Sequence, residues 1–201
     1  IRDRSGTCQS ARIAAEDYEG KVFVVDSMNA TIGERILVEY GLQLKDQGKP
    51  AEEIVSILEK EKSKIHTMGL LDTLEYLKKG GRITPAAAAV GTVLRLKPVL
   101  TIQGGKLDSH AKTRGMKSAF RIMLQAVKDD ISSRFSHLKE QGVLKVGIAN
   151  TPMDEGSLAA FRAEMQKNFP DMELVYSPLT MSIGTHIGTG GLGIGVFRSH
   201  I

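Results

Sequence analysis

Apolar residues recur along this chain at two different periods. From Thr31 to Gln47, Ile32, Ile36, Leu37, Tyr40 and Leu44 fall at spacings of three and four, which predicts an amphipathic helix with one buried stripe. Gly48-Lys49-Pro50 ends that helix. Pro50 opens the next at its first turn, with Glu52 and Glu53 near the positive end of the dipole and Ile54, Ile57, Leu58 and Ile65 on the buried side. Ahead of both, Lys21 to Asp26 is a short β-branched apolar run, the pattern of a strand buried on both faces, and it stops at Asp26-Ser27. A helix from Cys8 to Glu19 precedes it, entered through the turn Ser5-Gly6-Thr7. Strand and helices in this order predict an α/β layer.

Beyond His66 the texture changes. The pattern predicts a strand from His66 to Leu71, a helix from Asp72 to Lys79, and an alanine-rich helix from Thr84 to about Leu96, capped by Thr84 with Pro85 in its first turn. Pro98 to Gln103 and Lys106 to His110 flank Gly104-Gly105, a two-residue hairpin signal. A long helix from Met116 to about Leu138 follows, then a strand from Val143 to Ala149, a helix from Ser157 to Asn168, and strands at Glu173 to Tyr176 and Gly193 to Arg198. Hairpins mixed with helices imply an α+β unit distinct from the first layer, with the boundary near residue 66.

Composition narrows the function classes. The chain has 201 residues, 41% hydrophobic and 25% charged, an ordinary globular balance. No apolar run is long enough to cross a bilayer, and the first residues lack the layout of a secretion signal, so a cytoplasmic protein is expected. Its single cysteine, Cys8, excludes an internal disulfide. Lys and Arg exceed Asp and Glu by 27 to 23, but the charges alternate in sign, as in Glu59-Lys60-Glu61-Lys62, and Trp is absent. A nucleic-acid partner is therefore not expected. The five histidines stand singly, with no spacing suited to a metal.

Three segments invite a chemical reading. Ser5-Gly6-Thr7 gathers backbone N–H groups and hydroxyls at the positive end of a helix, a place that suits an anion or simply a cap. In the glycine-dense tail, Gly188, Gly190 and Gly193 match the dinucleotide pattern in form, but a β-like run rather than a helix follows and no acidic residue stands downstream, so that reading fails. His186, inside this tail, can donate to an anion or titrate near neutral pH. Two basic turns, Lys78-Lys79-Gly80-Gly81-Arg82 and Lys112-Thr113-Arg114, offer arginines to a partner's phosphate or carboxylates. Ser5 with His186 and an Asp could also form a hydrolase triad, although no G-x-S-x-G elbow surrounds the serine.

Six segments in order resemble the DegV family, which includes the fatty-acid-binding subunits of bacterial fatty acid kinase. They are Ser5-Gly6-Thr7-Cys8-Gln9-Ser10-Ala11, Val25-Asp26-Ser27, the block Leu71 to Ile83, Leu96-Lys97-Pro98-Val99-Leu100, Lys112-Thr113-Arg114, and Gly184-Thr185-His186-Ile187-Gly188 with Gly190 to Gly193. The resemblance implies a two-domain fold: residues 1–66 as the end of an N-terminal parallel-sheet α/β domain, and 67–201 as a C-terminal α+β domain with a mixed or antiparallel sheet around a lipid tunnel. It implies a non-catalytic protein that holds a long-chain fatty acid, palmitate- or oleate-like, by its carboxylate at Ser5, Gly6, Thr7 and His186. No cofactor or metal is expected. The acid would be presented to a separate ATP-dependent kinase that docks at Arg114 and, with less specificity, Arg82, for acyl-phosphate formation; the membrane would be touched only during ligand exchange. The family's N-terminal T-S-x-P segment, source of a second carboxylate ligand, has no counterpart here, so an upstream segment is expected to be missing. The competing expectation is an esterase or acyl-transfer enzyme using Ser5 and His186.

Overall fold

The computed structural model describes residues 5–83, 96–103 and 105–198. Its strands are β1 (His66–Leu70), β2 (Leu96–Gln103), β3 (Lys106–Arg114), β4 (Leu144–Asn150), β5 (Glu173–Pro178) and β6 (Leu192–Arg198). They form one mixed sheet in the order β3-β2-β1-β6-β4-β5. Every neighbouring pair is antiparallel except β4 and β5, which run parallel. The helices are α1 (Thr7–Ala15), α2 (Ile32–Asp46), α3 (Ala51–Glu61), α4 (Glu75–Lys79), α5 (Met116–Ser133), α6 (Ser136–Glu140), α7 (Glu155–Asn168) and α8 (Met181–Ile187). Helix α7 makes the crossover between the parallel strands, and Asp154 caps it by accepting from the Ser157 N–H at 2.8 Å.

Alternation along the strands divides the sheet into two unlike faces. On the first, Met68, Leu70, Val99, Val146, Ile148, Ile194 and Val196 pack beneath Met123 and Val127 of α5 and Phe161 and Met165 of α7, forming the main core. His66 belongs to this face as well. Its Nδ1 meets the Asp130 carboxylate of α5 and its Nε2 lies 2.6 Å from Thr101 Oγ1, so a half-buried polar group is fully partnered.

The second face is built on glycine. Gly147 and Gly195 sit opposite one another on β4 and β6, and the Ile32 side chain at the start of α2 fills the space their missing side chains leave. A Cβ added at Gly147 would stand 2.3 Å from Ile32 Cγ1, and one at Gly195 2.8 Å from Ile32 Cγ2. Ile36, Leu37, Ile65 and Phe197 extend this contact into a second cluster. A third, made of Leu71, Leu74, Leu77 and Leu100 with Ile187 against it, lies further along the same face.

Several expectations from sequence need correction. The run Lys21 to Asp26 forms no strand and pairs with no described strand, leaving Val22 48% and Phe23 38% exposed, because an apolar β-run becomes a strand only beside a hydrogen-bonding neighbour. The long helix expected from Met116 to Leu138 breaks after Ser133. Arg134 and Phe135 N–H both donate to Asp130 O, which turns Phe135 into the core before α6 begins. Lys112-Thr113-Arg114 is the end of β3 rather than a turn, with Arg114 opposite Leu96. The helix expected at Asp72 starts later, at Glu75, whose N–H is held by Thr73 Oγ1 at 3.1 Å. The alanine-rich helix expected from Thr84 falls almost wholly outside the described residues.

The close seat of Ile32 yields a stability test. Gly147→Ala should cost about 1–3 kcal/mol by overpacking against Ile32, read as a lower urea midpoint with an unchanged m-value. Ile32→Ala added in the same chain should lose less than the two single changes summed.

Candidate functional site

Four of the residues singled out from sequence fall at two places. At the first, Ser5 Oγ lies 2.8 Å from Thr7 Oγ1 and accepts from the Thr7 N–H at 3.3 Å, while Ser10 N–H donates to Gly6 O. Ser5, Gly6 and Thr7 are all exposed, and α1 has no buried residue. Hydroxyls and backbone N–H groups at this helix start are therefore open to a negatively charged group.

At the second, His186 rides on α8, a helix that pattern reading took for a glycine-rich loop. Its ring lies so close over Gly80 that a Cβ there would be 2.6 Å from Nδ1. The neighbouring Ile187 packs on the Leu71, Leu74, Leu77 and Leu100 cluster, so a half-buried imidazole adjoins an apolar surface. Gly188 ends the helix at φ +77, and the Tyr76 ring occupies the place its Cβ would take, at 2.4 Å. The glycine turn is then laced to the end of β4: Gly190 N–H donates to Pro152 O, Thr151 N–H to Gly191 O, and Gly191 N–H to the fully buried Thr151 Oγ1 at 2.7 Å. The segments Leu71 to Ile83 and Gly184 to Gly193, far apart in sequence, thus meet through α4 and α8.

Between α8 and α2 the second face of the sheet is bare. Gly69, Gly193 and Ala149 are register partners across β1, β6 and β4. A Cβ at Gly69 would meet only Leu192 O, at 3.8 Å, and one at Gly193 would have only atoms of the sheet as its nearest neighbours. Ala149 itself is buried, so the open part of this floor lies above Gly69 and Gly193. Ile32 bounds it on one side and Ile187, 2.9 Å from the position of a Gly191 Cβ, on the other. The loop before α2 closes one corner: Thr67 Oγ1 donates to Asn29 Oδ1 at 3.0 Å, Asp26 accepts from Met28 N–H, and Met28 and Thr31 hold φ of 52 and 57. Positive φ at two non-glycine residues is backbone strain, which collects at ligand sites. Sequence reading passed over this floor, although Gly193 and Gly195 at strand period, opposite a glycine in His66 to Leu70, signal a face without side chains.

The two arginines differ. Arg114 is exposed and has no partner among the described residues, whereas Arg82 folds back, Nη1 donating to Gly80 O at 2.5 Å, and steadies the turn beneath His186. On α4 the exposed Lys79 donates to Glu75 at 2.6 Å; that bond and the charge attraction hold the carboxyl below and the ammonium above their ordinary values. No described residue hydrogen-bonds the His186 ring or joins it to Ser5. The carboxylate–imidazole–hydroxyl chain that does exist, Asp130–His66–Thr101, lies on the other face of the sheet. Among the described residues no group of three or more His, Cys, Asp or Glu could hold a metal ion, and no helix is long and apolar enough to cross a membrane.

A family model described as "Uncharacterised protein, DegV family" matches residues 2–199. The chain belongs to the DegV family. A DegV domain-containing protein of Clostridium perfringens is 32% identical over 197 residues, covering 94% of this chain and 65% of its own length. The chain thus spans about 65% of the length of the curated relatives it matches. A DegV family protein from Thermus thermophilus, described as fatty acid binding, superposes with a TM-score of 0.83 at 31% identity, over 98% of this chain and 68% of its own. A DegV family protein from Eubacterium eligens loaded with heptadecanoic acid superposes with a TM-score of 0.77 at 25% identity, over 98% and 69%. DegV proteins of known structure therefore include binders of long-chain fatty acids.

The α4–α8 contact can be tested directly. Gly188→Val should destabilise the protein by roughly 1–3 kcal/mol through its strained φ, with further loss where the side chain meets Tyr76. Thermal unfolding measures this, and amide exchange should rise in α8 before it rises in the main core.

Proposed function

We propose that this DegV protein binds one long-chain fatty acid, its carboxylate at the Ser5 turn and His186 and its tail on the Gly69–Gly193–Ala149 floor. The observation that carries the reading is the side-chain-free strip at Gly69 and Gly193, lying between Ile32 and Ile187 and next to a half-buried histidine. A carboxylate at a helix start with hydroxyl donors needs no full counter-charge, because N–H groups and the helix dipole supply the positive field. The tail contributes most of the affinity: at about 0.8 kcal/mol per buried CH₂ a sixteen-carbon chain yields on the order of 10 kcal/mol before ordering costs. Fatty acids bound by relatives support the same ligand class. The relatives' additional length would provide further contacts to the head group and a cover for the tail.

Binding of this kind leaves the carboxylate oxygen accessible to a second protein. In this reading a separate kinase carries ATP and metal and transfers the γ-phosphoryl group to that oxygen, releasing ADP and leaving an acyl phosphate on the carrier. Arg114, exposed and unpaired among the described residues, would face the kinase; Arg82 would act through the turn it holds. The carrier itself supplies no catalytic group.

Native mass spectrometry of the purified protein should find a co-purified acid of sixteen to eighteen carbons. Ser5→Ala should weaken its retention roughly tenfold or more, through loss of one hydrogen bond to a charged group, and Gly69→Leu should weaken it by filling the floor. Retention unaffected by both changes, or hydrolysis of p-nitrophenyl palmitate abolished by Ser5→Ala, would sink the carrier reading. Arg114→Glu should leave fatty-acid content unchanged while lowering phosphoryl transfer when the partner kinase and ATP are added; equal transfer would remove Arg114 from the interface.

A further inference from the structure

The first face of the sheet holds a cavity that the fatty-acid reading leaves unused. Helices α5 and α7 diverge to leave a cleft of about 690 Å³, inside the roughly 300–1,000 Å³ of small-molecule sites. Leu70, Leu192, Leu124 and Phe161 form its buried floor, and Phe120 meets the Phe161 ring edge-on at 5.2 Å. A polar clasp closes one end: Lys128 Nζ donates to Asn168 Oδ1 at 2.7 Å, and Asn168 Nδ2 donates to Glu164 O and Oε1 at 2.8 and 3.0 Å.

The charges around the rim are unequally engaged. Asp72 is paired with Lys97, Asp154 caps α7, and Glu164 is held by Asn168. Lys117 and Arg121, one turn apart on the α5 wall, are exposed and have no partner among the described residues. The acids are thus occupied within the chain, and two cations stand free beside an aromatic, apolar floor. Lys128 is already committed to the clasp.

We infer that the α5–α7 cleft is a second ligand site, for a single-chain amphiphile with an anionic head. The head lies at Lys117 and Arg121, and the chain runs over Phe120, Leu124 and Phe161 towards the clasp. A bare inorganic anion would leave the floor unused, and a neutral amphiphile would leave the cations unused. The cleft is independent of the site on the other face, because Leu70 and Gly69 point to opposite sides of β1 and the whole sheet lies between.

Dodecyl phosphate is the probe, titrated calorimetrically into the full chain saturated with palmitate, and also into Gly69→Leu. Dodecyl maltoside and inorganic phosphate serve as head and chain controls. A further equivalent of dodecyl phosphate should bind in both proteins. Ala160→Trp, which places a ring in the cleft from an exposed wall position, should abolish it. Lys117→Glu with Arg121→Glu should weaken it about tenfold at low ionic strength and less at high salt; these exposed changes keep the test readable if the Trp variant folds poorly. Absence of the extra equivalent, equal binding by dodecyl maltoside or by inorganic phosphate, or binding indifferent to both sets of changes would overturn the assignment. Gly69→Leu fills only the opposite face and Ala160→Trp only the cleft, so the change that removes an equivalent shows which site held it, and failure of one site is distinguishable from failure of the other.

Discussion

The second face of the sheet is governed by missing side chains. Strands β1, β4 and β6 would ordinarily present β-branched residues to whatever packs above them; here they present Gly69, Gly147, Gly193 and Gly195. At Gly147 and Gly195 the vacated volume is taken by Ile32, which draws the start of α2 down onto the backbone. At Gly69 and Gly193 no described residue takes it. The same device thus produces a tightly seated helix and, one register step away, open space above Gly69 and Gly193. Two consequences follow: the helix start fixes the strained loop Asp26 to Thr31 at the edge of the strip, and α8 can reach its other edge only because Gly80 and Gly188 admit His186 and Tyr76. The main core on the first face, packed with large apolar residues, tolerates this sparse face because it supplies the bulk of the burial.

The helices with one clear apolar stripe were legible from spacing alone. Helices α2, α3 and α7 lie within a residue or two of where pattern predicts them: α2 and α7 bury apolar residues on one side, and α3, none of whose residues is buried, is opened by Pro50. The hairpin at Gly104-Gly105 was legible for a similar reason, since its turn chemistry admits little else. Segments decided by tertiary partners were not. Lys21 to Asp26 has every property of a strand except a neighbour, and Phe135 breaks a helical pattern because Asp130 accepts two backbone N–H groups there and a histidine from β1 besides.

The candidate site divides along the same line. Ser5-Gly6-Thr7 could be recognised as anion-friendly because the chemistry is local to one turn. His186 could be recognised as a residue of interest but not placed, since its helix carries glycine and threonine and lacks an apolar stripe. The bare floor escaped notice because it exists only when β1, β6 and β4 are set side by side in their observed register. A glycine in one strand is a weakness; two on adjacent strands at one level, beside Ala149 on the third, make a cavity floor. The resemblance to DegV proteins, resting on short motifs, names residues for the polar end of the proposed site but only a tunnel somewhere in residues 67–201 for its apolar end.

A sheet with its main core on one face and an open glycine strip between α2 and α8 on the other would separate the two demands of the proposed fatty-acid site. The tail needs a dry surface whose exposure in the empty state is tolerable, and glycine backbone presents less apolar area than leucine would. In the proposed site the head group would need polar donors that a second protein can also approach; Ser5 and Thr7 are exposed, and His186 is half-buried. With the proposed donors on short, lightly packed elements, α1 and α8, and the proposed tail floor on the central strands, the adaptable contacts would lie at the head group and the rigid ones along the tail. Selectivity for a tail bound there would depend on the height of Ile32 and Ile187 above the glycine floor, and so on packing rather than on charge.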